Sequence, residues 1–363
     1  MNPLDTEAAM KPASDSILNP AAPARQEAPL LTVDNLKVHF PVANSRLPFA
    51  GKRMLHAVDG VSFEVRPGET LGIVGESGCG KSTLSRALIG LNPPTSGRIL
   101  WRGQDVAANG SKRDPSLCKS MQMIFQNPIA SLDPRMTIER VVAEPLTTHF
   151  PGMGAAQVRE RVLRIIERMG LSQAHLQRYP HEFSGGQCQR IGIARALISE
   201  PELVICDEPV SALDVSIQAQ IVNLLKDLQR ETGLALIFVA HDLAVVKYIS
   251  HRVLVMYLGR VMELADKRVL YASPHHPYTR ALLAAVPRPD PLRQRQVRAT
   301  LGGDLPSPLA LPSGCVFRTR CSYADAACAQ QRPALDLMDD GAEVACIHPQ
   351  FDHAGEKIAA HRL

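Results

Sequence analysis

The chain has 363 residues, 45% hydrophobic and 21% charged, with a formal net charge of +4, which fits one large core plus an extension, or two modest domains. The small charge excess is spread along the chain and argues against a dedicated nucleic-acid binder. The longest apolar run, near Gly233 to Ala240, falls far short of the roughly 20 residues that span a bilayer, so any membrane role must be borrowed from a partner.

Residues 1–29 are rich in Ala and Pro and show no apolar periodicity. They read as a disordered tail, and nothing in them resembles a secretory leader. That implies a reducing compartment, in which disulfides are the less favoured use of cysteine. Alternation at Leu31, Val33, Val38 and Phe40 predicts an edge strand, and Asn44 to Arg53 a loop. Val58 to Val65 predicts a second strand, closed by the turn Arg66-Pro67-Gly68-Glu69. Thr70 to Val74 is a short apolar strand, and Lys81 to Gly90 a helix carrying Leu84, Ala87 and Leu88 on one face. The clearest amphipathic helix is 155–169, with Val158, Val162, Ile165, Ile166 and Met169 on one side. Its charged side reads as a solvated face rather than a binding patch. Strands at Leu203 to Cys206 and Leu236 to Ala240 flank a helix near Gln218 to Thr232. This β-α-β rhythm predicts a mostly parallel sheet covered by helices. After Ser273 the proline content rises and periodicity fades, which marks the start of a loop-rich extension.

Between the strand at Thr70 and the helix at Lys81 stands Gly75-Glu76-Ser77-Gly78-Cys79-Gly80-Lys81-Ser82, followed by Thr83. This is a complete phosphate loop: glycines let the backbone curl so that N–H groups and the helix dipole face an anion. Lys81 would reach the terminal phosphates, and the Ser82 hydroxyl would hold Mg²⁺. Asp207 and Glu208 end the strand Leu203-Val204-Ile205-Cys206. A carboxylate there lies beside the phosphate site, so Asp207 can hold Mg²⁺ through water while Glu208 takes a proton from an attacking water. Gln126 and His241 each follow another short apolar strand. Either could contact γ-phosphate, water or Mg²⁺, or be a satisfied structural residue. Ser184-Gly185-Gly186-Gln187 has capping-box spacing. Two glycines in a first helical turn cost stability and point to close backbone approach by something.

The order of these motifs resembles the ATP-binding-cassette ATPases over about residues 30–270. The resemblance implies an α/β P-loop fold of that type: a mostly parallel sheet, an antiparallel β subdomain and a helical subdomain at about 127–185, with 273–363 as the extension. The signature reads Phe183-Ser184-Gly185-Gly186-Gln187, where the family more often has Leu first. It further implies a head-to-tail dimer in which Ser184 to Gln187, with Asp214 of the loop Ser211-Ala212-Leu213-Asp214, closes on ATP held by the partner's phosphate loop. In that reading Gln126, Glu208 and His241 are catalytic, Gln126 also meets Mg²⁺, and Phe40 stacks on adenine where the family more often has Tyr. Phe125-Gln-Asn-Pro, Ser131-Leu-Asp-Pro, Arg178-Tyr-Pro-His and His276-Pro-Tyr-Thr-Arg narrow the resemblance to ATP-binding subunits of dipeptide and oligopeptide permeases. Implied partners are two transmembrane permease subunits, a sister ATPase forming a heterodimer and, indirectly, an external peptide-binding protein. The implied location is peripheral, at the cytoplasmic face of the cell membrane.

Cys315, Cys321, Cys328 and Cys346 form C-x5-C-x6-C-x17-C, a spacing wider than the tight pairs of zinc fingers. Four thiolates suit an iron–sulfur cluster as well as zinc. The family's cysteine-bearing tail implies a [4Fe–4S] cluster, with zinc or unligated cysteines as alternatives. A rival function is a soluble cassette ATPase acting on ribosomes or DNA. Such proteins fuse two cassettes or insert a coiled coil, whereas here one cassette stands without a long heptad run.

Overall fold

The computed structural model describes residues 28–42, 53–106, 115–286 and 304–349. The tail expected over 1–29 and the loop expected at 44–53 lie almost wholly outside these residues. Strands β1 (Leu31–Val42) and β2 (Arg53–Val65) pair antiparallel, with Leu31 opposite Val65 and Val38 opposite Val58. Leu31, Val33, Leu36 and Val38 are buried. Their alternation breaks at Asn35, which has φ 44° beside a register shift between Val33 and Leu36.

The chain continues through β3 (Thr70–Val74), α1 (Lys81–Leu88), β4 (Ser96–Trp101), β5 (Gln104–Asp105), α2 (Pro115–Ser120) and β6 (Met121–Ile124). Helices α3 (Pro128–Ser131), α4 (Ile138–His149), α5 (Ala155–Arg168) and α6 (Gly185–Leu197) follow. Next come β7 (Leu203–Asp207), α7 (Val215–Thr232), β8 (Ala235–Val239), α8 (Leu243–Ile249), β9 (Arg252–Tyr257) and β10 (Arg260–Asp266). The last elements are α9 (Lys267–Ala272), α10 (Pro277–Ala285), α11 (Ala326–Gln330), β11 (Asp336–Leu337) and β12 (Glu343–Val344).

Two sheets result. A four-stranded antiparallel sheet has the order β2-β1-β4-β5, and an eight-stranded sheet the order β11-β12-β10-β9-β3-β8-β7-β6. Within the larger sheet β9, β3, β8, β7 and β6 run parallel, while β10, β12 and β11 are added antiparallel. Every residue of β3, β7 and β8 is buried. This explains their unbroken apolar runs, because a strand covered on both faces has no solvent side to alternate with. On α5 Val162 and Ile166 are fully buried, as is Met169 at its C-cap, while Arg164 pairs with Glu160 one turn away in solvent.

The described part of the extension packs on the cassette. Glu263 of β10 lies opposite Val344 of β12. Tyr278, Phe317 and Val344 belong to the same buried cluster as Phe238 of β8 and Ile166 of α5. No described helix is long and apolar enough to cross a membrane.

Candidate active site

Four neighbouring parallel strands deliver the site from their carboxyl ends, where open α/β sheets form their clefts. The phosphate loop follows β3, Gln126 lies just beyond β6, Asp207 and Glu208 close β7, and His241 comes two residues after β8. The bend at Gly80 admits only glycine. Its φ is 104°, and a Cβ there would lie 2.0 Å from the Ala57 carbonyl oxygen. That turn starts α1 at Lys81, whose buried Nζ donates to the carbonyl oxygens of Gly75 (2.8 Å) and Glu76 (3.0 Å). The Ser82 hydroxyl donates to Asp207 Oδ1 at 2.9 Å. Two of the three expected Mg²⁺ holders, Ser82 and Asp207, thus meet in the fold as it stands, and their oxygen donors fit a hard cation. Burial pushes the Asp207 carboxyl upward, opposed by the Ser82 hydrogen bond and by Arg86.

Glu208 has a feature that its sequence position does not announce: its φ is 46°, in the left-handed region. For a side chain of this size that conformation costs roughly 1–2 kcal/mol. Backbone bonds hold it. The Glu208 N–H donates to Val239 O at 3.0 Å, and its carbonyl accepts from the Ser211 hydroxyl at 3.1 Å. The carboxylate thereby turns toward the two flanking candidates. Gln126 Nε2 donates to Glu208 Oε2 at 2.9 Å, and His241 Nδ1 stands 3.7 Å from the same oxygen. His241 is largely solvent-exposed, so it is no core histidine.

The signature residues gather elsewhere. Ser184 caps α6 with a full capping box: Gln187 N–H donates to Ser184 Oγ, and Ser184 N–H donates to Gln187 Oε1 at 3.0 Å. Ser184, Gly185, Gly186, Gln187 and Asp214 line one cleft of about 370 Å³ that no phosphate-loop residue borders. Part of the close approach expected at the glycine pair comes from within the chain. A Cβ at Gly186 would lie 2.8 Å from Ile217 Cγ2, whereas at Gly185 the nearest atom is 3.8 Å away. Phe40 sits on β1 opposite Leu55, partly buried against the cluster under the antiparallel sheet.

Cys315, Cys321, Cys328 and Cys346 converge on one small pocket with His276, Phe317 and His348. Burial raises all four thiols, Cys321 to about 11 and Cys346 to about 12. Among the described residues, sets of three potential ligand atoms within 4.8 Å of one another are His39–His56–Asp59 and Asp325–Cys328–His348; no three of the cysteine sulfurs make such a set. A lone zinc at about 2.3 Å from each sulfur would draw the sulfurs to about 3.8 Å apart.

Three contacts with the phosphate loop were not foreseen from sequence. Glu76 N–H donates to Tyr278 Oη at 3.0 Å, and the Glu76 carboxylate takes both Arg320 amino groups at 2.7 and 3.0 Å. Their separations of 202 and 244 residues left no local signal.

Comparison with known proteins agrees with this arrangement. The family model described as "ABC transporter" matches residues 58–211, and "Oligopeptide/dipeptide transporter, C-terminal region" matches 262–328. The chain is 57% identical to the oligopeptide transport ATP-binding protein OppF of Haemophilus influenzae, over 88% of this chain and 96% of that one. It is also 57% identical to OppF of Escherichia coli, over 85% and 92%. Among solved structures, the ATP-binding cassette MJ0796, a dimer in a post-hydrolysis state bound to ADP and Pi, superposes with a TM-score of 0.58 at 28% identity. That match covers 66% of this chain and 99% of the cassette. The cbiO1 subunit from Clostridium perfringens gives a TM-score of 0.57 at 29% identity, covering 68% and 92%. With a complete phosphate loop, a separate signature cleft and relatives of this identity matched over nearly their whole length, the chain belongs to the ATP-binding subunits of oligopeptide/dipeptide ABC transporters.

Proposed function

We propose that this chain hydrolyses ATP to energise import of dipeptides or oligopeptides through a membrane permease. One observation carries the reading: Gln126, Glu208 and His241 meet at the sheet edge where Ser82 and Asp207 also meet. Lys81 and the loop N–H groups hold the phosphates, with Ser77, Gly78, Cys79 and Thr83 completing the cradle. Ser82, Asp207 and Gln126 hold Mg²⁺, which supplies charge neutralisation at the phosphates. Glu208 accepts the proton of the attacking water, and Gln126 and His241 orient that water and the carboxylate. Glu208→Gln keeps the shape and removes the base. In the assembled transporter it should slow turnover about 10²–10⁴-fold with ATP affinity retained. Near-normal turnover would overturn the assignment.

Ser184 to Gln187 and Asp214 serve a second nucleotide, bound by a sister ATPase in a head-to-tail pair. Two features support this: the signature cleft stands apart from the chain's own phosphate loop, and the similar cassette MJ0796 is dimeric with ADP and Pi. Two transmembrane subunits dock near the segment after Gln126. A groove of about 290 Å³ beside Phe125, lined by Leu117, Met123 and Glu144, supports that placement, as does the exposed Ile129 on α3. The subunit then works peripherally at the cytoplasmic face of the membrane, fed indirectly by an external binding protein.

The four C-terminal cysteines hold a [4Fe–4S] cluster in this reading. Their shared pocket and wide sulfur spacing suit a cluster, which carries its own sulfides between the thiolates, better than one zinc. Bound there, the cluster supplies a cross-link within the extension. Protein purified without oxygen should contain about four irons and four acid-labile sulfides per chain. Zinc without sulfide, or neither, would reject the cluster.

A further inference from the structure

The phosphate loop of this chain is held from outside the cassette sequence. Glu76 has three engaged groups. Its carbonyl accepts from Lys81 Nζ at 3.0 Å, its N–H donates to Tyr278 Oη at 3.0 Å, and its carboxylate receives the two amino groups of Arg320. Tyr278 on α10 is completely buried. The Arg320 side chain is only 6% exposed, and its guanidinium also lies 3.4 Å from Tyr257 Oη. The rings of Tyr257, Tyr278 and Phe317 pack against one another with centroids 4.8–5.3 Å apart. Neither residue is therefore a solvent-exposed ornament. Arg320 is fixed at its base as well, because its N–H donates to Phe317 O at 3.0 Å, one residue before Cys321.

We propose that Arg320 and Tyr278 are positioning residues for ATP binding: they hold Glu76, and through its carbonyl Lys81, in the geometry that receives the terminal phosphates. The argument rests on the ATP-site reading above. In this proposal the extension completes the site, and the phosphate loop does not suffice by itself. The arginine does not touch the nucleotide. It acts by neutralising a carboxylate that would otherwise stand free at the mouth of an anion site, and by fixing that carboxylate with a two-pronged bond. The cysteine-bearing segment thus reaches the phosphate loop through one side chain.

The test is a mutant cycle on the full chain, with the dissociation constant of a fluorescent ATP analogue and Mg²⁺ as the readout beside the unfolding midpoint. Arg320→Gln should weaken binding about tenfold, the scale of one charge-assisted pair, and Glu76→Gln, which removes the carboxylate together with the need to neutralise it, should weaken it less. The double variant should be no weaker than either single one, because both remove the same interaction. Arg320→Lys, which keeps the charge but not the fork, should fall between wild type and Arg320→Gln; it also serves if the glutamine variant fails to fold. Affinity within twofold of wild type for Arg320→Gln would overturn the proposal, as would full additivity in the double variant. If wild-type protein binds no analogue, it is the ATP-site reading itself that fails.

Discussion

His276 shows how far one buried side chain can carry a pH dependence. It is 1% exposed, caps α10 by accepting the Tyr278 N–H through Nδ1 at 3.0 Å, and burial lowers its pKa to about 3. The unfolded chain therefore binds a proton at His276 that the folded chain refuses. Stability is complete above the ordinary histidine value of 6.5 and is lost as pH falls from there toward about 3. Glu263, buried next to it and accepting the His275 and His276 N–H groups at 3.0 Å, is shifted upward by burial. Its contribution has the opposite sign, falling as pH rises through its raised value. In denaturant unfolding between about pH 7 and 5 the His276 contribution to the stability slope should approach about 1.4 kcal/mol per pH unit, with His39 and His251 adding to the total and Glu263 subtracting from it, so it is read as the difference between wild type and a variant without this histidine. His276→Asn offers the Tyr278 N–H an amide oxygen in place of Nδ1 and removes the titration, so its slope should flatten even if its absolute stability drops. An unchanged slope would show that the histidine is not the group responsible. At this same scale the sequence named Lys81, Ser82, Asp207 and Glu208, because each is tied to a short local motif. It could not report the left-handed φ of Glu208, since only the bonds to Val239 and Ser211 fix that conformation.

Among the elements, α6 was the most legible in advance, because capping chemistry is written within four residues. Ser184→Ala removes the acceptor for the Gln187 N–H and should cost about 1 kcal/mol. The loss should appear as faster amide exchange in the first turn of α6, with the turns beyond Cys188 protected by their burial. Unchanged exchange would mean the box contributes nothing to the helix. Strands β3, β7 and β8 were equally readable as short apolar runs, since burial on both faces leaves no other pattern. Strands β9 and β10 escaped the sequence reading although both are mostly buried. Their hairpin turns at Leu258-Gly259, with φ of 45° and 77°, and Gly259 N–H donates to Cys79 O, so this turn leans on the phosphate loop itself.

Across the whole molecule, composition changes at Ser273, but the core does not end there. Tyr278, Phe317 and Val344 enter the core shared with the parallel sheet, and β12 extends that sheet beyond β10. Strands of two residues carry no periodicity, so nothing local could have told this extension from a loose tail. Its attachment is also electrostatic. Arg332 stands 3.5 Å from buried Asp59, which takes Arg260 at 2.6 Å, and these arginines hold the Asp59 carboxyl below the usual range despite its burial.

By itself the sequence determined the chemistry: a phosphate loop, a strand-end carboxylate pair, a second capped glycine turn and four late cysteines. Each of these depends on residue types a few positions apart, and backbone geometry over such distances follows from local rules. Tertiary structure alone decided which of them meet. It brought Gln126 and His241 onto one oxygen of Glu208, kept the signature in its own cleft, and tied Glu76 to an arginine 244 residues away. Contacts of that separation are set by how the sheet orders its strands and by which surfaces can be buried together, and no local pattern encodes either.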